Sequence, residues 1–500
     1  MTRGARWAAW VAATVVLVAN AWPNFETTVD DAWISARYAQ HLVEGHGLVY
    51  NAGEPPVEGY TNLAWVLLLA LAHALQLPIY GTLTWGGLAF AALGLAAALP
   101  LTARLAGGWH PLVLLAPLLI AASPHYAVAA TNGLETSMFA ASVMASLALT
   151  LGATSPGRRA AAGAALGLLG TVRPEGMGIA LILGAWHVLE HRHQLRKPGT
   201  WIVPAMAVAG VVAIETWRWS TYGDLVPNTL PAKSDVPLIR VILLNIKYLA
   251  IDGWFWFVAL GLIVVAPLLP PRTAERGVVA IVTLLITVVP FRIQMWMPAG
   301  RLLVPAWTIA LCSLTAVAAS SRGAWRAAVS LGLVALTLAT LLSPVNGIMR
   351  SYDRTHSVLA DNQAARAARH LRQHAPEGVW FAIRDAGVLA YHVGPRVRVA
   401  ELHDRALSLR HPGGADTDVS KVPTDPAFLA LTQTREDATS YRYLNDEKVF
   451  LATRQPYVYL GRVYQHHHRY FDLYARADLG VPPLPESVVL NRLGPEPPRR

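Results

Sequence analysis

NFETTVDDAWISARYAQHLVEGHGLVYNAGEPPVEGYTN, residues 24–62, is a polar island between two strongly apolar stretches, and the fold turns on how it is read. It holds the adjacent carboxylates Asp30 and Asp31, then Glu44, Glu54 and Glu58. Its 39 residues exceed the usual length of an idle connection. Between Asp31 and Val43 the apolar positions Ile34, Tyr38, Ala39 and Leu42 recur near helical spacing, which predicts an amphipathic helix at a membrane surface. Gly45, Gly47, Gly53, Pro55, Pro56 and Gly59 then fold the remainder back in turns. Asp30 and Asp31 fall at the start of that helix, where carboxylates favour the positive end of its dipole. That explains one of them, but hardly both.

The surrounding chain reads as membrane protein. Of its 500 residues 54% are hydrophobic and only 14% charged, against roughly 25% charged in a soluble domain. Apolar windows fall at about 7–23, 61–77, 82–102, 111–123, 135–152, 160–172, 177–190, 200–217, 246–268, 277–290, 302–318 and 325–342. The single cysteine, Cys312, lies inside one of them, which excludes a disulfide framework and a thiolate metal site. A net charge of +10 is scattered in short clusters between these windows, a pattern of loops on one membrane side and not of nucleic-acid binding. Residues 1–23 read as an uncleaved signal anchor.

Basic clusters set the orientation. Arg3 and Arg6, then Arg158 and Arg159, the run HRHQLRK at 191–197, Arg272 with Arg276, and Arg322 with Arg326 mark the cytoplasmic side. The acidic first loop, RPEG at 173–176, the loop 218–245, the loop at Arg301 and everything after residue 343 then face outward. Three apolar segments between 61 and 123 break the parity, so one of them, the short 111–123, is expected to be interfacial or re-entrant. About 11 spans remain. The division is a membrane domain over 1–343 and a small outer α/β domain over 344–500, in which VWFAIRDAGVLAYHVG and RVRVAEL read as strand, turn, short helix, strand and the Pro-rich tail as disordered.

Ionisable residues near a membrane mark function more often than not. On the outer side they gather in DD (30–31), VEGYTN (57–62), TNGLETSMF (131–139), RPEG, YGDLVPNTLPAKSD (222–235) and GRLLVP (300–305). The candidates are Asp30 and Asp31 for catalysis, and Arg37, Glu58, Tyr60, Asn132, Glu135, Arg173, Glu175, Asn228, Lys233 and Arg301 for donor or substrate binding. Plainer roles exist for several: Arg173 could pair with Glu175, Asn132 could cap a helix starting near Leu134, Pro227 and Asn228 could shape a turn, and Lys233 or Arg301 could anchor the membrane surface. The HHH run at 466–468 has ligand-type side chains, but neighbours in sequence point apart.

Taken together, these strings resemble the membrane glycosyltransferases of the GT-C superfamily. Within it they look most like the mycobacterial terminal arabinofuranosyltransferases and their homologues labelled flagellar-motor-control proteins. The likeness covers most of residues 25–305, with a weaker echo at RDAGVLAYHVGPRVRVAEL. Leu63 departs from the proline that often follows the TN pair, and Glu401 and Asp404 stand in place of the usual aspartate after the second strand. The resemblance implies an α-helical polytopic enzyme of a bacterial inner membrane that moves a sugar, arabinofuranose-like or other, from a polyprenyl-phosphate donor to a cell-envelope glycan or lipid acceptor with inversion. Asp30 or Asp31 would take the acceptor proton, Asp30 being favoured because Asp31 more naturally begins the helix. Lys233, Arg173 and Arg301 would hold the departing phosphate. Paired carboxylates could also hold a divalent cation, Mg²⁺ or Mn²⁺.

The rival class is non-catalytic: a transporter, or an assembly factor for an envelope or motor complex. A transporter places its ionisable residues near mid-bilayer, often in two related halves. Here they cluster on outer loops, and no halves are visible.

Overall fold

The computed structural model describes residues 1–25, 27–229, 237–251, 255–269, 273–292, 300–342, 357–359, 363–383, 386–401, 425–433, 454–466 and 469–489. The helices are α1 (Arg3–Ala21), α2 (Asp30–Val43), α3 (Leu63–Ala74), α4 (Ile79–Leu105), α5 (Leu115–Ala122), α6 (Pro124–Thr131), α7 (Thr136–Leu151), α8 (Pro156–Val172), α9 (Glu175–Glu190) and α10 (Ile202–Tyr222). Next come α11 (Leu238–Ile251), α12 (Phe255–Val265), α13 (Ala274–Val288), α14 (Val304–Ser320), α15 (Gly323–Leu342), α16 (Gln363–His374) and α17 (Val388–Val393). The strands are β1 (Thr27–Val29), β2 (Ser357–Leu359), β3 (Trp380–Ile383), β4 (Arg398–Glu401), β5 (Phe428–Gln433), β6 (Tyr457–His466) and β7 (Arg469–Arg476).

This is a multi-pass membrane protein. Among the described residues four helical segments are long and apolar enough to cross a bilayer: Arg3–Asn24, Ile79–Leu105, Pro198–Tyr222 and Arg301–Ser320. The count is five if the pair α5–α6, bent by 62°, is one broken span. Exposed tryptophans mark two levels on these helices. Trp22, Trp85 and Trp219 lie toward the acidic loops, and Trp7, Trp109, Trp201 and Trp325 toward the basic clusters. Tryptophan favours the boundary between hydrocarbon and headgroups. From Trp85 to Leu105 the helix α4 covers about 30 Å, one hydrocarbon thickness.

Side-chain contacts fix the directions. Trp10 of α1 donates to the Ala92 carbonyl at 2.8 Å, and Phe25 meets Trp85 with ring centroids 4.4 Å apart, so α1 and α4 run antiparallel. Arg6 lies over the Trp109 ring at 4.7 Å, while Asn20 donates to the Ala121 and Ala122 carbonyls at 3.2 Å. The segment from Pro111 to Thr131 therefore runs beside α1 from the basic face to the acidic one, bent at Ser123.

The parity problem is thereby solved differently from expectation. The segment that fails to cross is α3, not 111–123. Asn62, just ahead of α3, donates to Glu135 at 2.8 Å on the acidic face; His73, in its last turn, meets the Tyr391 hydroxyl of the C-terminal unit at 3.3 Å. Both ends thus lie on one side, and a 12-residue helix reaches only about 18 Å. Trp65, Val66, Leu69 and Ala72 are buried against protein, whereas Leu67, Leu71 and Leu75 stay exposed one turn apart. That is the two-faced pattern of a helix lying in the interface.

The role expected of α2 passes to α3 for a physical reason. α2 buries nearly its whole circumference, from Ala32 and Trp33 to Gln40 and His41, because C-terminal residues cover the face that sequence alone would leave to solvent. Its apolar core is continuous with that of the C-terminal unit, including Phe381, Leu389 and Phe471. That unit holds a five-stranded mixed sheet in the order β4-β3-β5-β7-β6, with β3 parallel to β4 and β5 and the remaining pairs antiparallel. A separate two-stranded pairing of β1 with β2 ties the start of the first loop to the same part of the chain.

The geometry predicts which sites share a membrane side. In cysteine variants Glu44→Cys, Gln76→Cys and Arg196→Cys, an impermeant thiol reagent should label the first two from one side and the third from the other. Opposite labelling of positions 44 and 76 would make α3 a span.

Candidate active site

The loops of the acidic face converge on one buried carboxylate. Glu135 is 1% exposed and caps the entry to α7. Its Oε1 accepts from Arg173 and, at 2.9 Å, from Arg301; its Oε2 accepts from Asn62 at 2.8 Å. Arg173 also donates to Glu175 at 2.9 Å. Burial alone would push the Glu135 carboxyl up, but Arg301 and Arg173 outweigh it and hold the group down at about 2. The RPEG pairing of Arg173 with Glu175 is therefore real, yet it is half of a larger network.

Beside this network lies a pocket of about 250 Å³, open to solvent, lined by Thr136, Phe139, Arg173, Glu175, Ile286, Arg301, Leu302 and Pro305. Two guanidinium groups thus share a cavity with an apolar wall. Arg173 uses one N–H on Glu135 and one on Glu175, which leaves donors over for a ligand. The combination suits an amphiphile with an anionic head.

α2 is joined to this network through Asn62 and shows two faces. Asp31, Ser35 and Tyr38 follow one another at the i, i+4, i+7 spacing of a single stripe. Ser35 Oγ donates to the Asn62 side-chain oxygen at 3.2 Å, and Asn62 in turn reaches Glu135, so the stripe is wired to the two arginines. Asp31 itself is exposed. The Tyr38 hydroxyl donates to the Val57 carbonyl at 2.7 Å and accepts from the Gly59 amide at 3.0 Å, which sets the course of VEGYTN. TNGLET meets α2 through Gly133, whose φ of 84° and 2.9 Å approach of an added Cβ to Ala32 leave room for glycine alone.

Asp30 lies on the other face, and its carboxylate is engaged. Oδ2 accepts from the Gly387 amide and Oδ1 from the Val388 amide, both at 2.9 Å, so Asp30 caps the N-terminus of α17. A Cβ at Gly387 would collide with the Asp30 backbone. Seven residues on, fully buried Arg37 takes the opposite end of α17: it donates to the carbonyls of Ala390, of Gly394 at 3.3 Å and of Val397 at 2.7 Å, as well as to Tyr50 at 2.8 Å. Two turns of α2 span about 10 Å, close to the length of α17. An anion at the N-terminus and a cation at the C-terminus match that helix's dipole.

Other expected residues fall into place around these. Arg37 is fully buried, and five backbone and side-chain acceptors surround it in the core. Asn132 folds a turn, its Oδ1 accepting from Leu134 at 3.0 Å, and its carbonyl accepts from Val29; α7 begins later, at Thr136. Tyr60 is buried, with its hydroxyl 3.0 Å from that of Tyr222. Glu58 pairs with Arg218 at 2.7 Å, and the Asn228 amide donates to the Glu58 carbonyl at 3.0 Å. Lys233 and Asp404 lie outside the described residues, as do His467 and His468. Among the described residues no three His, Cys, Asp or Glu side chains form a metal-ligand group.

Arg218 and Asn62 were not singled out from sequence. Arg218 carried a signal: with Glu215 it puts two charges in the last turns of an otherwise apolar helix.

Comparison with protein-family models and with curated proteins finds no match. Solved structures do match. The chain is similar to ArnT from Cupriavidus metallidurans bound to undecaprenyl phosphate, with TM-score 0.57, 13% identity, and 97% of this chain and 100% of that one covered. It is also similar to the oligosaccharyltransferase AglB from Archaeoglobus fulgidus in complex with an inhibitory peptide and a dolichol-phosphate, at TM-score 0.54, 11% identity and 80% of this chain. The chain has the GT-C glycosyltransferase fold. It spans 65% of the archaeal protein's length. The mycobacterial arabinofuranosyltransferase AftD matches at TM-score 0.49 with 42% of its length covered, too loosely to support the narrower group.

Within this GT-C fold Glu135 is the test of the network. Glu135→Gln removes the carboxylate that Arg173 and Arg301 share, and removing one partner of a buried pair costs about 3–5 kcal/mol; the melting temperature in detergent should fall accordingly. The unfolded carboxyl takes its proton near 4.5, whereas the folded one resists to about 2. The stability that Glu135 contributes is therefore present above about 4.5 and lost as the pH falls toward 2, and the variant should lack that dependence.

Proposed function

We propose that the chain is an inverting membrane glycosyltransferase. It takes a sugar from a polyprenyl-phosphate donor and joins it to a hydroxyl of a cell-envelope glycan or lipid. The observation that carries this reading is an exposed carboxylate, Asp31, on a helical stripe wired through Ser35, Asn62 and Glu135 to a two-arginine pocket with an apolar wall.

The chemistry follows from these groups. Asp31 takes the proton of the acceptor hydroxyl as its oxygen attacks the anomeric carbon. The bond from that carbon to the phosphate oxygen breaks through an oxocarbenium-like state, and the charge left on the phosphate meets the N–H groups of Arg173 and Arg301. Ile286, Leu302 and Pro305 receive the first part of the lipid. The two arginines are already balanced by Glu135 and Glu175, so a further cation helps to hold the phosphate, and Lys233 on the loop after α10 is the residue proposed for it. Arabinofuranose is the sugar the sequence resemblance favours. By the positive-inside rule the site faces away from the cytoplasm of a bacterial inner membrane.

Asp31, not Asp30, takes the role of base, because both Asp30 oxygens already accept backbone N–H groups of α17. Asp31→Asn should lower transfer roughly 10²- to 10⁴-fold and leave polyprenyl-phosphate binding intact. Asp30→Asn should instead lower the melting temperature, with a smaller loss of rate at low temperature. Near-normal transfer by Asp31→Asn would return the chain to the non-catalytic class.

A separate experiment addresses the pocket. Arg301→Ala should weaken binding of undecaprenyl phosphate about tenfold or more, the worth of a charge-assisted hydrogen bond. Unchanged binding would leave Arg301 as a support for Glu135 only.

A further inference from the structure

A second, shallow cleft open to solvent lies between the loop at Pro56–Glu58 and the end of α10, and it belongs to neither the arginine pocket nor the α17 clamp. Pro56, Glu58, Tyr222, Asp224, Val226 and Asn228 line it. Its floor is built with care. Glu58 is 3% exposed, and so is Arg218, which holds the carboxylate through Oε2 at 2.7 Å and is itself steadied by Glu215. The other Glu58 oxygen, Oε1, has no partner among the described residues. Oε1 is not among the enclosed polar atoms that lack a partner, so it is reached from the cleft and can accept from an O–H brought there.

We infer that this cleft binds the hydroxyl groups of an inner sugar unit of the acceptor glycan. The inference rests on the glycosyltransferase reading and deepens it. Charge excludes the donor phosphate: the carboxylates of Glu58, Glu215 and Asp224 surround one guanidinium, Arg218. Position favours the acceptor. Tyr38, which anchors Val57 and Gly59 beside the cleft, lies two turns from Asp31 on the same stripe, about 10 Å along the helix. A glycan whose terminal hydroxyl meets Asp31 can therefore lay a preceding sugar against Glu58. Burial, opposed by Arg218, pushes the Glu58 carboxyl up to about 7, so near neutrality it can accept a hydroxyl proton or donate its own. Pro56 with Val226 supplies an apolar edge.

Binding of octyl arabinofuranosides and octyl mannosides, each as mono- and trisaccharide, to the full chain in detergent tests this by saturation-transfer NMR. A trisaccharide should bind more tightly than its monosaccharide. Val226→Trp, at an exposed position that leaves the Glu58–Arg218 pair untouched, should weaken the trisaccharide about tenfold, and Glu58→Gln should do likewise; undecaprenyl-phosphate binding should be unchanged in both. Equal trisaccharide binding by wild type and Val226→Trp overturns the inference, as does displacement of the trisaccharide by undecaprenyl phosphate or tighter binding of octylamine than of any glycoside. If Asp31→Asn transfers normally while the cleft still binds trisaccharide, the enzyme reading fails and the glycan site stands.

Discussion

One buried carboxylate sets the geometry of the acidic face. Glu135 draws Asn62 from the first loop, Arg173 from the junction of α8 and α9, and Arg301 from the entry to α14 onto two oxygens. These segments are far apart in sequence, and they meet at the ends of helices that share one apolar core. An ion buried this deeply is tolerable only when every lone pair finds a donor. The demand for compensation therefore acts as a positional constraint. It orients both guanidinium groups along one wall of the pocket and fixes the start of α3 beneath α2.

A second constraint makes the first loop dependent on the other end of the chain. α2 begins with two carboxylates that point about 100° apart, and it gives each a different environment. Asp30 and Arg37 face α17 and match its dipole at both ends, while Asp31 lies on the same stripe as Ser35, which reaches Glu135 through Asn62. The strand pairing of β1 with β2 fixes the residues just before Asp30 in the same way. The helix that carries Asp31 is thus oriented by residues more than 350 positions later in the chain. A reactive group benefits from this arrangement, because its direction is set by contacts that do not touch the substrate.

Much of this was legible in the sequence. Polar strings on one side of an apolar chain announced where the chemistry gathers, and Glu135, Arg173, Glu175 and Arg301 do share one network. The short strand–helix–strand at 380–401 could be read from its own residues. What could not be read was the partner of each charge. Arg37 sits in a polar loop and looks available for a ligand, but its acceptors are carbonyls of a helix brought in by the C-terminal sheet. The reading of Asp30 rested on helix-start preference, whereas the two amides that its carboxylate meets, at 387 and 388, lie far along the chain. In the same way α2 has the periodicity of a surface helix, yet tertiary cover buries it, and α3, read as a span, keeps both ends on one face. Periodicity reports that a helix has two faces, not what covers them.

The two cavities differ in the sign of what surrounds them, and this difference bears on how two substrates could be kept in order. Guanidinium groups line the first pocket; carboxylates dominate the second cleft. A polyprenyl phosphate is repelled from the second by charge, and a neutral glycan gains little from the first, where it would displace water from arginines without neutralising them. Discrimination of this kind works by excluding the wrong occupant as much as by attracting the right one. One short run of chain, from Val57 to Asn62, borders both: Glu58 reaches the acidic cleft and Asn62 the arginine network, with Tyr38 holding the backbone between them. Movement of that run cannot reshape one cavity without shifting the other. The Tyr38 hydroxyl and the buried Glu58–Arg218 pair hold this run in place, so a donor in the first cavity and an acceptor in the second would, under the proposed function, keep a fixed spacing.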